Sequence, residues 1–207
     1  MSEPFVCLYA AKDRAEIPTD QKILAILRAH FFADSLPSED VLTISRSSRG
    51  KPFLPALPQW HISVTHSGKW FICALSPVQI GIDLQEHTLL RDETPQQASV
   101  RYSKIARRFF HPAESEYVAL APQENFFSVW TAKESYVKYT GKGMDADFDQ
   151  FCSLPPSRSS QPLPVDTPWQ AAGATFRHIP FDNGYTFCMC TPVPCLWNWK
   201  IVDEWKL

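Results

Sequence analysis

The sequence predicts an α+β fold in two comparable halves, and three observations predict it. The apolar runs FVCLYAA (5–11), HISVTHS (61–67), FICALSP (71–77) and VQIGIDLQ (78–85) read as strands. Apolar residues at helical spacing dominate 98–140, before two further strand-like runs. The polar stretch EHTLLRDETPQQ (86–97) lies between these regions, so the boundary is drawn there, giving subdomains 1–86 and 87–207. No internal sequence repeat accompanies the division.

Taken in order, FVCLYAA opens the chain as a strand. TDQKILAILRAHFFA then sets Ile23, Leu24, Leu27 and Phe31 on one helical face after a capping Thr19 or Asp20. RGKPFLPALPQW (49–60) is a proline-punctuated loop leading into HISVTHS, where Ile62 and Val64 alternate with polar residues. FICALSP and VQIGIDLQ flank a turn containing Pro77, which predicts a hairpin near Ser76 to Gln79. In ASVRYSKIARRFFHPAESEYVAL (98–120) one helix ends before Pro112 and a second starts near Ala113, because the residue before proline disfavours helical geometry. ENFFSVWTAKESYVKYTGKG (124–143) is a third helix, closed by Gly141. LPPSRSSQPLPVDTP (154–168) is a loop, and ATFRHIPF and YTFCMCTP are strands around a turn at Asp182-Asn183-Gly184.

Composition narrows the function classes. The chain has 207 residues, 44% hydrophobic and 20% charged, which is enough apolar material for a sizeable core. Lys+Arg number 20 against Asp+Glu 22, a formal charge of -2, so no global basic field suits a nucleic-acid duplex and any anion site must be local. No apolar run approaches the roughly 18 residues of a membrane span, and MSEPFVCLYAAKDR lacks the regions of a signal peptide. A cytoplasmic location away from membranes is the expectation. Cysteines 7, 73, 152, 188, 190 and 195 match no standard zinc spacing and read as free, buried thiols.

The chemistry-bearing residues fall into six clusters. In the third helix Phe126, Trp130, Glu134, Val137 and Lys138 share a face, so a carboxylate points where aromatic residues pack. A Glu134–Lys138 pair at i,i+4 satisfies it, as does a metal ion or a basic substrate. On the strand QIGIDLQ, Asp83 and Gln85 project from one side, and Gly81 leaves room for a ligand or a backbone. Asp83 reads as a strand-end cap or, with Glu134, as part of the oxygen-rich shell that Mg²⁺ prefers. Glu114 follows Pro112 in a first helical turn, where it serves the helix N-terminus or acts as a general base or water-mediated metal ligand. Arg49 and Lys51 flank a glycine before Pro52 on a stiff loop, and Thr65, His66 and Ser67 close a strand as donors suited to phosphate. Arg101, Lys104 and Arg108 form a basic stripe beside the apolar Tyr102, Ile105, Ala106 and Phe109.

In sequence order GKP, THS, GID, FFxxxE and WxxKExxxK resemble the 4'-phosphopantetheinyl transferases of the two-halved surfactin-synthetase-activator and enterobactin type, with their holo-acyl-carrier-protein synthase relatives. The resemblance runs from Gly50 to Gly143. It implies two similar, pseudo-symmetric subdomains with coenzyme A and Mg²⁺ in the cleft between them. It implies transfer of 4'-phosphopantetheine from coenzyme A to a serine of an apo acyl or peptidyl carrier protein, releasing 3',5'-ADP, by a monomer. Asp83, Gln85 and Glu134 are then the metal ligands, Glu114 the base and Lys138 the cation on the pyrophosphate. Arg49, Lys51, Pro52, Thr65, His66 and Ser67 are the coenzyme A contacts, with Lys22, and behind it Arg28, substituting for absent N-terminal basic residues. Many relatives carry an acid where Gln85 stands; an amide oxygen ligates Mg²⁺ without adding charge. Phosphoryl transfer needs charge neutralisation and in-line placement more than covalent help, which suits this equipment. The basic stripe is expected to steer acidic carriers. A coenzyme A- or carrier-binding paralogue without transfer activity is the other reading.

Overall fold

The computed structural model describes residues 3–32, 42–143, 148–156, 162–203 and 205. The middle of the proline-rich loop, 157–161, lies outside the described residues. One sheet holds β1 (Phe5–Lys12), β2 (Ser45–Arg46), β3 (Pro52–Phe53), β4 (His61–Ser67), β5 (Trp70–Ser76) and β10 (Leu196–Val202) in the order β10-β1-β5-β4-β3-β2. The other holds β6 (Gly81–Glu86), β7 (Trp169–Ala171), β8 (Ala174–His178) and β9 (Tyr185–Thr191) in the order β6-β9-β8-β7. Helix α1 (Thr19–Ile26) runs into a π-helical turn at Leu27–Phe31, and α2 (Pro95–Phe109), α3 (Pro112–Leu120) and α4 (Pro122–Thr140) follow β6. No described helix is long and apolar enough to cross a membrane.

Strand alternation builds four layers from these pieces. On β1, Tyr9 and Ala11 pack toward Ile23, Ile26 and Leu27 of the first helical segment, while Val6, Leu8 and Ala10 face the second sheet. On β6 and β9, Ile82, Leu84, Phe187 and Met189 meet them. The opposite face of β9, through Cys188 and Cys190, joins Tyr102, Phe110, Val118, Phe126 and Val129 under α2–α4. The order is helix, sheet, sheet, helices.

The hairpin expected at 71–85 does not form. β5 already has β1 and β4 on its two sides, so β6 crosses to the second sheet and pairs with β9. Strand β10, absent from the sequence reading, returns to pair in parallel with β1. Sheet membership therefore groups β10 with β1–β5 and β6 with β7–β9.

The open edge of β6 is not left bare. Ser63, Thr65 and Ser67, alternate residues of β4, accept through their hydroxyls from the backbone N–H groups of Ile82 (3.0 Å), Leu84 (3.1 Å) and Glu86 (2.9 Å). A side-chain seam thus replaces a main-chain ladder and satisfies buried donors between the sheets. On its other side β6 lies against α4 so closely that a Cβ on Gly81 would stand 2.0 Å from the Ser135 carbonyl oxygen and 2.2 Å from the Tyr139 nitrogen. The room that glycine provides is taken by a backbone.

Candidate active site

Close packing of β6 on α4 sets Asp83 opposite Glu134 and Lys138. Asp83 lies on the helix-facing side of its strand, and Glu134 and Lys138 stand one turn apart on α4, which ends where Gly141 takes a left-handed conformation (φ 69°). Lys138 does not close on Glu134. Its Nζ donates to Asp83 Oδ1 at 2.7 Å, and Thr65 Oγ1 donates to the same oxygen at 3.2 Å. Asp83 Oδ2 is buried with no hydrogen-bond partner among the described residues. The Glu134 carboxylate, on a residue 8% exposed, makes no side-chain hydrogen bond among the described residues.

The electrostatics follow from that arrangement. Burial pushes the Asp83 carboxyl above its ordinary range, against the opposing pull of Lys138. Burial also raises Glu134, the negative charge of Asp83 raises it further, and Lys138 opposes both. Two neighbouring carboxylates with one ammonium between them lack a positive charge, and Oδ2 of Asp83 lacks a donor. A hard divalent cation supplies both. With the Gln85 amide on the same strand face the donor set is all oxygen, which fits Mg²⁺ keeping several waters. No group of three or more His, Cys, Asp or Glu side chains among the described residues forms a metal cluster, so the fit rests on two acids and an amide.

Glu134 lines two cavities. One, of about 240 Å³, is bordered by Arg46, Arg49, Lys51, Pro52 and Lys138 and is cationic. The other, of about 500 Å³, is bordered by Gln85, Ile105, Phe109, Phe126, Trp130 and Phe148 and is apolar. An anion-accepting pocket and an apolar one thus meet at a carboxylate.

Other sequence candidates fall elsewhere. Glu114 is fully enclosed: Oε2 takes the Lys133 Nζ at 2.7 Å and the His111 N–H at 3.1 Å, while Oε1 takes the N–H and hydroxyl of Ser153 at 2.6 and 2.7 Å. Lys133, itself fully buried, also donates to the Phe151 carbonyl at 2.8 Å. With both oxygens occupied and no opening to either cavity, Glu114 is a buried tie between α3, α4 and the 151–153 segment. Lys22 pairs with Asp13 in the interior and lies 5.2 Å from the centroid of Phe71, so its ammonium is not offered outward. Thr65 faces Asp83 and the seam, not an outside phosphate.

Lys51 reaches the site by another route. Its Nζ donates to the carbonyls of Ile80 (2.9 Å), Lys138 (2.6 Å) and Tyr139 (3.3 Å), capping the end of α4, and burial pulls its pKa down to about 8. Its charge borders the cationic cavity, but its donors are engaged. His66 stays outward, 72% exposed, with Nδ1 3.9 Å from Asp13 Oδ2, while the Ser67 hydroxyl serves the seam. Arg101 is held by Glu93 through two hydrogen bonds of 2.8 and 2.7 Å. The sequence reading missed Lys133, Arg46 and the seam. Arg46, three residues before Arg49 in RSSRGKP, carried a legible signal; Lys133 is the first lysine of WxxKExxxK, but nothing in the motif tells that it is buried against Glu114.

The model of the 4'-phosphopantetheinyl transferase superfamily matches residues 79–190, which include Asp83, Gln85, Glu134 and Lys138. The chain is similar to a 4'-phosphopantetheinyl transferase of Bacillus subtilis, 38% identical over 149 residues, covering 70% of this chain and 61% of that protein. It is similar to the 4'-phosphopantetheinyl transferase Sfp of Bacillus subtilis (strain 168), 31% identical over 157 residues, covering 74% and 64%. The Nostoc 4'-phosphopantetheinyl transferase HetI is 37% identical over 144 residues, covering 66% and 55%. The chain thus spans less than two thirds of the length of these relatives.

Proposed function

The chain belongs to the 4'-phosphopantetheinyl transferase superfamily, and on that footing we propose that it transfers 4'-phosphopantetheine from coenzyme A to a serine of an apo carrier protein. In that reaction the serine Oγ–P bond forms, the pyrophosphate P–O bond breaks, 3',5'-ADP leaves and the serine proton must be accepted. The observation that carries the reading is Glu134 at the junction of a cationic and an apolar cavity, beside an Asp83 oxygen without a partner.

Asp83 and Glu134, with Gln85, would hold Mg²⁺, which when bound supplies charge neutralisation for the diphosphate. Lys138 adds an ammonium between the acids and the cationic cavity. Arg46 and Arg49 line the side where the nucleotide phosphates of coenzyme A would lie. Glu134 opens on both cavities, so its carboxylate would be in place to take the proton of a serine entering over the apolar one. The carrier serine would enter over the apolar cavity beside α2, where Phe109 is exposed and Lys104 and Arg108 offer charge to an acidic partner. The cationic cavity is lined both by residues of 46–64 and by residues of 134–143, which supports a site in the cleft between two subdomains; a monomer in the cytoplasm belongs to the same reading.

Intact-mass spectrometry of an apo carrier protein incubated with this protein, coenzyme A and Mg²⁺ tests it. A gain of one phosphopantetheine, absent with Glu134→Ala and absent when EDTA replaces Mg²⁺, is the expected result. No gain on fatty-acid, polyketide or peptide carriers, with coenzyme A still bound, would instead identify a binding protein without transfer activity.

A further inference from the structure

The seam between the sheets touches the acid site at one point. Of its three hydroxyls, only that of Thr65 reaches a carboxylate: it accepts from Leu84 N–H at 3.1 Å and donates to Asp83 Oδ1 at 3.2 Å. A hydroxyl has one hydrogen, so once the backbone N–H occupies a lone pair the proton has a single productive direction. Threonine is β-branched and stiff at its first side-chain torsion, and Thr65 is 4% exposed, so this donor is fixed by packing. The second donor to Oδ1, Lys138, sits on a long side chain with 31% exposure. Both donors converge on Oδ1, and Oδ2 is left buried and unpartnered.

We propose that Thr65 is a positioning residue for the acid site, fixing the Asp83 carboxylate so that Oδ1 is occupied and Oδ2 is offered to the divalent cation. The inference rests on the metal reading above and extends it to a residue in the other sheet. Through β4 the segment carrying His66 and the acid on β6 share one hydrogen-bonded support, so whatever shifts β4 shifts the carboxylate.

The test is calorimetric titration of Mn²⁺ into the full chain without coenzyme A or carrier. Thr65→Val keeps the shape and removes the hydroxyl; it is expected to weaken Mn²⁺ about 10–100-fold, the usual effect of removing a group that orients a metal ligand. Thr65→Ser restores the donor and should keep the wild-type affinity. Ser63→Ala removes a neighbouring seam bond that does not touch Asp83, and should also keep it. Thermal melting of each variant is recorded alongside, and if the valine variant does not fold Thr65→Ala is read the same way. Wild-type affinity in Thr65→Val, or an equal loss in Ser63→Ala, overturns the proposal while leaving the metal reading intact. Failure of the wild-type protein itself to bind Mn²⁺ overturns both.

Discussion

Asp83 and Glu134 are two buried acids held side by side with one ammonium, and each binds a proton more tightly than a free carboxyl. Burial is the first cause in both, and the charge of Asp83 is the second in Glu134. A raised folded-state pKa means that the fold favours the protonated form. The stability it contributes is present below the ordinary carboxylate range and is lost as pH rises through the raised values. The metal-free protein should therefore lose melting temperature from mildly acidic to neutral pH, by an increment that Glu134→Gln reduces. Glu93 and Asp182, held down to about 2 by Arg101 and Lys69, act with the opposite sign in more acidic solution, so the comparison belongs above the ordinary carboxylate range. At neutral pH, Mg²⁺ should raise the melting temperature of the wild type more than that of Glu134→Gln. Equal pH profiles for the two proteins would show that Glu134 ionises without strain.

At the scale of elements, the same α4 segment supports two opposite uses of a carboxylate. The Glu134 carboxylate makes no side-chain hydrogen bond among the described residues and faces cavities; Glu114, on α3, is enclosed by Lys133, Ser153 and the His111 N–H. Removing one partner of a buried ion pair leaves an uncompensated charge and costs about 3–5 kcal/mol. Glu114→Gln should therefore destabilise the protein by about 3–5 kcal/mol in a denaturant melt, because Lys133 remains buried without its counter-charge. Adding Lys133→Met should recover part of the loss. If Glu114 were the base, the substitution would instead abolish turnover and leave the melt unchanged. Sequence spacing made the helices and the inward direction of Glu134 legible, because period 3.6 survives any tertiary arrangement. It did not show which glutamate is covered: Glu114 stands in a first helical turn after Pro112, and Lys133 and the 151–153 loop that enclose it are distant in sequence.

Across the whole molecule, the four-layer order explains which sequence expectations failed. A strand near the end of the chain pairs with the first, and the apparent 71–85 hairpin divides between sheets, because pairing depends on edge availability that no local pattern encodes. The same packing alters the basic stripe on α2. Arg101 is bound to Glu93 and stacks 4.5 Å from the centroid of Tyr102, so its charge is neutralised and its reversal would damage the fold. Lys104 and Arg108 are exposed and carry no ion pair among the described residues; Arg108 lies 5.1 Å from the centroid of the exposed Phe109, at the rim of the apolar cavity. An acidic carrier approaching that cavity would be steered by these two groups, through a long-range field that salt screens. Lys104→Glu with Arg108→Glu should raise the carrier KM about tenfold at low ionic strength, with a smaller effect at high salt and no change in the coenzyme A KM. The two KM values separate docking from general damage, since the cationic cavity lies on the far side of Glu134 and shares neither residue. A parallel rise in both, or a carrier effect indifferent to salt, would move the docking surface away from α2.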